Sequence, residues 1–430
     1  MTIPPSASTA RAPKPEDRPY DVVVWGATGF TGRLIAEYLA RLSGNPEPLR
    51  WAIAGRRREA LEALRRQLAE LAPSVSELPI LTGDSHDPDS LDALARQTRA
   101  VCAAAGPFAL HGAELVAACV RNGTHYCDIT GEPAWIRQMI DAHHEQAQQN
   151  RVRVVHCCGV DSVPSDLGCF MVHEHLQRHH SLRPSRVKCL VTLWPRGYSG
   201  GTYASMFHFW QQAGRDKALR KSMLHPYALN SADHRSGPDQ PERPGSRKDP
   251  DTGHHTGMFL MGPVNSRIVR RSNELLDYAY GEQFQYSEER GFGPGAGGWW
   301  RAKQANTRLM SFFLGGMIPP TRWLLRRVLP AQGAGPSQSQ RKRGAIRFEH
   351  HAFTEPDAAG NVKHIVGLVH GPLDTYDVTA ITAAESALCL ARDTDRLPDR
   401  YGVLTPAAAM GAALLERLRR TDLAFEIEER

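Results

Sequence analysis

The sequence contains 430 residues, a length that allows two or three domains, each with its own buried core. Its 41% hydrophobic and 23% charged residues exclude a fully disordered chain, a collagen-like chain and a small disulfide-stapled protein. The net charge of +6 is modest, and no block of Lys and Arg is long enough to predict a nucleic-acid-binding tail.

The cysteines and the N-terminal residues indicate the compartment. None of the eight cysteines forms a C-x-x-C motif and several lie in apolar runs, so we expect buried free thiols in a cytoplasmic protein. Residues 1–19 are rich in Pro, Ser and Ala, lack the apolar stretch of a signal peptide and are predicted to be a disordered lead. No run reaches the ~18 apolar residues that a membrane-spanning helix needs.

Residues 20–181 alternate between short apolar runs and stretches with helical periodicity. The runs lie at 22–25, 51–54, 78–81, 100–103, 125–129 and 152–156, and the helical stretches at 30–42, 58–72, 88–98, 111–122 and 133–149. This alternation predicts the α/β class: a Rossmann-type, doubly wound parallel sheet that binds a dinucleotide.

The first predicted strand leads directly into GATGFTG, residues 26–32, which has the spacing G-x-x-G-x-x-G. Its first glycine permits a sharp turn, its second lets a pyrophosphate approach the backbone, and its third lets the helix pack close to the sheet. The opening helix directs free N–H groups at the phosphates. We therefore expect the cofactor phosphates to contact Gly26, Thr28, Gly29, Phe30, Thr31 and Gly32.

The end of the second strand indicates which cofactor is bound. NAD sites usually place an acidic residue there, whereas this strand ends in Gly55 followed by Arg56 and Arg57. A guanidinium group can pair with a 2′-phosphate, so we predict NADPH, although solvated arginines at a helix start are the alternative. After the third strand, Asp84 is a candidate adenine contact, and an Asx turn accounts for it equally well.

Ligands in such folds lie beyond the carboxyl ends of the strands. Ala105, Gly106 and Pro107 follow the fourth strand, where we expect the nicotinamide end of the cofactor. Asp161 and Ser162 follow the sixth strand and are candidate catalytic residues. Ser165 or Asp166 is the expected N-cap of the next helix, which is predicted to continue through Leu176.

Two histidines on that helix raise the question of a metal. His175 and His179 are four residues apart on one helical face, a spacing that zinc ligands use. No third ligand is evident in the sequence, so we interpret them as a polar helix end and expect no metal.

We predict that residues 182–374 form a mixed α+β domain for substrate binding and dimerisation. It contains a strand at 187–193 and a flexible surface loop at 225–257. A helix from about Thr202 places Gly200, Gly201 and Thr202 at an anion-binding helix start. Together with Arg270 and Arg271 on a predicted strand, they form a candidate substrate site. A tight turn with a Thr cap is the alternative, and Tyr203 is a further candidate proton donor.

Residues 299–330 interleave aromatic and leucine side chains with six basic residues. Such a segment can lie on a membrane surface, line an acyl tunnel or form a dimer core. The Pro319–Pro320 pair breaks a long amphipathic helix and favours the last two. We expect two helices, at about 375–392 and 405–420, in a C-terminal segment (375–430) that packs back on the Rossmann domain.

Several motifs together resemble one known family. GATGFTGR, AGRR, GPF, YCDITGE and GVDSVPSDLG, followed by SGGTYAS, NSRIVRRSN, YGEQFQYSE, GAGPS and GVLTPAAAMG, are similar to the saccharopine dehydrogenase-like oxidoreductases. The branch that they resemble most includes the trans-acting enoyl reductases of actinobacterial lipid synthesis. Phe108 stands where many relatives have Tyr.

The resemblance implies NADPH-dependent enoyl reduction of a small-molecule or carrier-bound lipid or polyketide acyl chain. Two alternatives remain at this point: a non-catalytic, NADP-binding, lipid-associated scaffold, and an amino-acid dehydrogenase of the saccharopine type. The short-chain dehydrogenase mechanism is not supported, because no Tyr precedes a Lys by four residues.

Overall fold

The structure is a computed structural model that describes residues 17–44, 48–195, 199–215, 224–331 and 333–430. Most of the predicted N-terminal lead lies outside these residues. Two seven-stranded sheets organise the described part of the chain, and each receives one strand from the C-terminal segment.

The first sheet is parallel throughout, in the order β13-β6-β5-β4-β1-β2-β3. Its strands are β1 (Tyr20–Trp25), β2 (Trp51–Gly55), β3 (Ile80–Thr82), β4 (Thr98–Ala103), β5 (His125–Asp128), β6 (Arg153–Val155) and β13 (Gly402–Leu404). The central strands β1, β2 and β4 are almost entirely buried, because helices cover both faces of a parallel sheet.

Helices follow these strands in the predicted positions. They are α1 (Phe30–Leu42), α2 (Arg58–Leu71), α3 (Pro88–Ala95), α4 (Phe108–His111), α5 (Ala113–Arg121), α6 (Pro133–Gln149) and α7 (Val163–His180). The alternation of strands and helices along the predicted Rossmann-type domain is therefore confirmed.

The C-terminal segment differs from the prediction because it contains strands as well as helices. It holds α13 (Thr375–Arg392), β13, α14 (Pro406–Leu418) and β14 (Ala424–Glu429). The strand β13 pairs in parallel with β6 as the seventh strand of the first sheet. At three residues it is too short to show the alternation from which a strand is predicted.

The helix α13 packs on the first sheet beside α1. The thiols of Cys102 and Cys127, in the middle of β4 and β5, contact the carbonyl of Ala383. Arg392 at the end of the helix pairs with Asp21 at the start of β1, with 2.9 Å between Nη2 and Oδ2. The first residues of α13 therefore lie at the carboxyl edge of the sheet, where a cofactor binds.

The second sheet is mixed, in the order β14-β12-β11-β7-β10-β9-β8. Its strands are β7 (Pro184–Leu193), β8 (Arg247–Lys248), β9 (His255–Met258), β10 (Gln285–Gly291), β11 (Ile346–Thr354), β12 (His364–Gly371) and β14. The strands β11 and β12 pair antiparallel as a hairpin. The helix α7 packs against this sheet closely, since a Cβ atom at Gly168 would lie 2.2 Å from the His350 ring.

The remaining helices lie in the second half of the chain. They are α8 (Gly200–Arg215), α9 (Gly262–Leu275), α10 (Gly295–Met317), α11 (Pro319–Val328) and α12 (Gln338–Arg341). As predicted, the proline pair divides the apolar and basic segment, because α10 ends just before it and α11 begins on it. No helix among the described residues is long and apolar enough to cross a bilayer.

Arg270 and Arg271 lie on the helix α9 and not on a strand, which corrects the prediction. The side chain of Arg270 pairs with Asp239, with 2.6 Å from Nε to Oδ2, and Arg271 donates to the carbonyls of Leu229 and Val403 at 2.6 and 2.8 Å. The β-branched pair in RIVRR suggested a strand, but burial on all sides of α9 overrides that preference. The loop predicted at 225–257 is fastened to α9 through these bonds.

Candidate active site

The predicted phosphate loop, residues 26–32, has the close backbone approach that a dinucleotide requires. Gly26 has a positive φ of +80°, and a Cβ atom there would lie 2.8 Å from the Cβ of Ala105. A Cβ atom at Gly32 would lie 2.2 Å from the carbonyl oxygen of Gly26. Gly29 is the N-cap of α1 and no side chain caps this helix, so its first N–H groups remain open to a phosphate.

The arginines after β2 are open to an anion. Arg56 and Arg57 are exposed, and neither side chain has a hydrogen-bond or salt-bridge partner in the part of the chain that the structure describes. Their neighbour Arg58, by contrast, pairs with Glu62, with 3.1 Å from Nε to Oε1. The residues present therefore fit a cofactor with a 2′-phosphate.

Asp84 forms the turn that was the alternative to an adenine contact. Its Oδ1 atom accepts a hydrogen bond from the backbone N–H of His86 at 2.9 Å, as in an Asx turn. The side chain is exposed beyond β3 and its second oxygen is available.

Glu132 connects the loops of the sheet edge to the second half of the chain, and sequence reasoning missed it. One of its carboxylate oxygens accepts from Phe108 N at 3.0 Å and from the hydroxyl of Ser205 at 2.9 Å, and the other accepts from Ala109 N at 3.2 Å. The loop that contains Ala105, Gly106 and Pro107 is therefore held against α8. The signal was present, because Glu132 lies in the motif YCDITGE just before the helix-starting Pro133.

Asp128, in the same motif, orders the ends of β5 and β6. Its Oδ2 atom lies 2.7 Å from His156 Nδ1 and accepts from the Tyr126 hydroxyl at 3.0 Å. Its Oδ1 atom accepts from the backbone N–H groups of Thr130 and Cys157. This buried carboxylate is fully occupied by the protein, so it shapes the edge and is not free to react.

Asp161 is the open carboxyl group at this edge. It follows β6 and is enclosed by protein but partly accessible, and its side chain has no hydrogen-bond partner among the described residues. Burial raises the pKa of Asp161 to about 6. A group with this pKa can hold a proton near neutral pH and release it to a substrate.

The other candidates around α7 have partners within the protein. Ser162 is the N-cap of α7, but its hydroxyl donates to Asn265 Oδ1 at 2.8 Å and does not cap the helix.

Ser165 and Asp166 were the predicted caps, and both lie inside the helix. They are recruited into buried networks instead, which explains the error: Ser165 bonds to Glu288, and Asp166 accepts from Ser272 and from Ala407 N.

The network around Glu288 is a second buried acidic centre. Its carboxylate accepts from the side chains of Ser165, Asn265 and Tyr286 at 2.7 to 3.1 Å. Burial raises the pKa of Glu288 to about 7, although these hydrogen bonds oppose the shift. All its partners are side chains of this chain, so the network positions α7 and α9 relative to β10.

The start of α8 is satisfied by the protein, in contrast to the predicted anion site at Gly200, Gly201 and Thr202. Ser199 Oγ accepts from Thr202 N at 3.3 Å, and Gly200 N donates to Ala334 O at 2.9 Å. Ser199 N donates to the hydroxyl of Tyr376. The helix starts where it was predicted, but its cap is Ser199, and the hydroxyl of Tyr376 assists it.

Tyr376 also contacts the phosphate loop, which brings α8, α13 and α1 together. Its ring meets Phe30 edge-on with 5.1 Å between centroids. A Cβ atom at Gly335 would lie 2.4 Å from the same Phe30 ring, so the segment GAGPS covers the start of α1. Tyr203, one turn into α8, is half-buried against Phe312 of α10, and burial raises its pKa.

All eight cysteines are free and buried, as predicted. The thiols that adjoin the edge, Cys157 and Cys158, are fully enclosed, and burial raises the pKa of Cys157 well above its ordinary value. A thiolate nucleophile at this edge is therefore not favoured.

Comparisons with known proteins agree with this geometry. Residues 22–155 match the family described as the saccharopine dehydrogenase NADP binding domain. A Mycobacterium tuberculosis protein is 40% identical over 417 residues, which cover 93% of this chain and 96% of that protein. Proteins named trans-acting enoyl reductase from Mycobacterium leprae and Mycobacterium ulcerans are 37% and 38% identical, each over 94% of this chain and 96% of its own length.

The fold has a solved counterpart. Saccharopine dehydrogenase (L-Glu forming) from Saccharomyces cerevisiae aligns over 95% of this chain and 99% of its own, with a TM-score of 0.55 and 11% identity. The structural similarity establishes the fold, and the sequence similarity to the mycobacterial proteins establishes the family. The chain is an NADP-dependent oxidoreductase of the saccharopine dehydrogenase-like type and belongs to the trans-acting enoyl reductase family.

Proposed function

We propose that this chain reduces the carbon–carbon double bond of an enoyl thioester on a lipid or polyketide acyl chain, with NADPH as reductant. The observation that supports this most directly is the open carboxyl of Asp161, which lies at the same sheet edge as the phosphate loop and has its pKa raised to about 6. The mycobacterial relatives are named trans-acting enoyl reductase, which supports an enoyl group as the substrate.

In this proposal the protein holds the cofactor at three places. The N–H groups at the start of α1 face the pyrophosphate, Arg56 and Arg57 pair with the 2′-phosphate, and residues 105–107 lie beside the nicotinamide. When bound, NADPH supplies a hydride to the β-carbon of the enoyl group.

Asp161 supplies the proton that completes the reduction. Its protonated carboxyl donates to the α-carbon, which takes up the electron pair released from the double bond, and the carboxylate regains a proton from solvent. Ser162 is less suited to this role because its proton is engaged by Asn265. Tyr203 packs against Phe312 of α10. Its raised pKa makes it a poorer proton donor at neutral pH.

A direct test measures NADPH oxidation by the loss of its nicotinamide absorbance with an enoyl-CoA and identifies the saturated thioester by mass spectrometry. The variant Gly29→Val is the matched negative control, since even a Cβ atom at Gly29 would lie only 3.2 Å from the Gly26 carbonyl oxygen and narrow the phosphate site. We expect turnover by the wild type and loss of cofactor binding in the variant.

Two outcomes would favour the alternatives. NADPH binding without turnover of any enoyl thioester, whether CoA-linked or carrier-linked, would favour a scaffold. Oxidation of saccharopine with reduction of the cofactor would favour an amino-acid dehydrogenase.

The helices α10 and α11 form a surface that we assign to lipid contact. Trp300, Trp323 and Leu324 are 54% to 61% exposed, and residues 299–330 contain six basic and no acidic side chains. The opposite face packs on α8, where Trp210 meets Phe312 with 5.3 Å between ring centroids. An apolar face with basic residues fits the surface of an anionic membrane, and α8 connects it to the cofactor edge.

Vesicle sedimentation tests this assignment. The chain should bind vesicles that contain phosphatidylglycerol more tightly than neutral vesicles, and Trp300→Ala combined with Trp323→Ala should reduce the binding. Val362→Ala, which removes an exposed apolar side chain elsewhere, should not. If binding to vesicles is absent and the double variant instead dissociates a homodimer, the surface is a dimer interface.

A further inference from the structure

The C-terminal end of α7 and the end of β14 bring three metal-ligating side chains together. None of the three belongs to the proposed cofactor site. Glu429 Oε1 lies 3.0 Å from His175 Nε2 and 3.1 Å from His180 Nε2. One ligand atom from each of these residues lies within 4.8 Å of the other two. Glu429 is 254 positions from His175 and 249 from His180, so only the fold creates the cluster.

These distances are close to those of a zinc site. With ligand bonds of ~2.0–2.1 Å, adjacent donor atoms of a tetrahedral zinc ion are about 3.3 Å apart. The two His–Glu separations require only small adjustments to reach that value. Two imidazoles and one carboxylate, with the fourth position left to water, form a donor set that suits zinc.

The carboxylate is also oriented for this role. Its second oxygen, Glu429 Oε2, accepts from Lys363 Nζ at 3.0 Å, which leaves Oε1 directed at the histidines. The side chains of the two histidines are only 21% and 23% exposed, which limits the conformations that they can adopt.

We propose that His175, His180 and Glu429 bind one Zn²⁺ ion, which fastens the C-terminal strand β14 to the helix α7. The sequence paired His175 with His179 and led us to expect no metal, because the carboxylate comes from the other end of the described fold. Because α7 packs against the second sheet and β14 is an edge strand of that sheet, the ion would hold this edge to the helix that covers it. This proposal is independent of the proposed enoyl reduction.

The test titrates ZnCl₂ into the full chain after treatment with EDTA and dialysis, and follows binding by calorimetry and by the melting temperature. We expect one equivalent bound and a higher melting temperature with zinc. His175→Ala and His180→Ala should each weaken binding by at least ~100-fold, since even the loss of an outer partner of a ligand costs about 10- to 100-fold.

His370→Ala is the matched control. It removes a single His–Glu pair between β12 and β14, where His370 Nε2 lies 3.2 Å from Glu426 Oε2. This variant should bind zinc as the wild type does. In EDTA, the melting temperatures of all the variants should be close to that of the wild type, which separates ligand loss from misfolding. Absence of stoichiometric binding by the wild type, or equal binding by His175→Ala and His180→Ala, would overturn the proposal.

Discussion

Two pairs of adjacent arginines look alike in the sequence and differ completely in the structure. Arg56 and Arg57 are exposed beside the phosphate loop, and their side chains have no hydrogen-bond or salt-bridge partner in the described ranges. Arg270 and Arg271 are buried in α9, where their guanidinium groups bond to Asp239 and to backbone carbonyls. The first pair is open to a ligand, and the second holds a loop in place.

The same contrast separates the acidic residues. Asp161 and Asp166 lie close together in the sequence, and burial raises the pKa of both, to about 6 and about 7. Asp166 is occupied by Ser272 and Ala407, whereas Asp161 has no hydrogen-bond partner among the residues described. A raised pKa is therefore not enough to identify a reactive group, because occupied structural networks also produce one.

The largest expected effect separates these two aspartates. Asp161→Asn should lower kcat by ~100- to 10,000-fold, the usual contribution of a general acid, with little change in NADPH affinity. Asp166→Asn should destabilise the fold and leave kcat of the folded fraction within a few-fold of the wild type. Steady-state kinetics, with cofactor binding followed by fluorescence, measures both. Comparable losses of kcat in the two variants would remove Asp161 as proton donor.

The buried arginine pair should matter to stability and not to binding. Arg271→Ala removes two hydrogen bonds from a charged donor and leaves the carbonyls of Leu229 and Val403 without it. We expect the free energy of unfolding to fall by ~3 kcal/mol, because each such bond contributes ~1.5–3 kcal/mol. Urea denaturation gives the value, and NADPH affinity serves as the control. Weaker binding of an acyl substrate by a fully stable variant would restore the predicted anion pocket.

The open arginine pair should show the reverse behaviour. Arg56→Ala combined with Arg57→Ala should weaken NADPH binding by ~10- to 100-fold and leave NADH binding nearly unchanged, since only NADPH carries the 2′-phosphate. Stability should change by less than ~0.5 kcal/mol because the side chains are exposed. Titration of both cofactors against both proteins measures this. Equal affinities of the wild type for NADPH and NADH would contradict the assignment.

Sequence reasoning succeeded where local patterns carry the information. The alternation over 20–181 and the glycine spacing at 26–32 predicted the Rossmann sheet and the glycine turn into α1, since both depend on residues close in sequence. It failed for β13, which is too short to show a period, and for α9, where burial on all sides concealed the helix.

The roles of polar residues were harder to predict than the elements that carry them. Whether Arg271 faces a ligand or a carbonyl depends on Val403, a partner 132 positions away. The same applies to Glu132, whose partner Ser205 lies beyond the Rossmann domain on α8. Such pairings follow from the tertiary fold, and they cannot be predicted from local patterns in a single sequence.

The pH dependence of turnover gives the smallest effect and the sharpest comparison of the two aspartates. A general acid must be protonated to act, so kcat/KM should be level below the pKa of Asp161 in the free enzyme, about 6, and should fall about tenfold per unit above it. Asp161→Asn should abolish this decline, and Asp166→Asn should leave it in place. Glu288, whose pKa is raised to about 7, is the neighbouring group that could produce a similar profile.

Glu288→Gln distinguishes the two carboxyl groups. It keeps the size of the side chain and replaces the carboxyl of Glu288 with an amide that does not titrate. Because burial alone raises the pKa of Asp161, the decline should stay near pH 6 in Glu288→Gln. If Glu288 were itself the titrating acid, the decline would disappear in Glu288→Gln and persist in Asp161→Asn. The variant in which the decline disappears therefore identifies the carboxyl that delivers the proton.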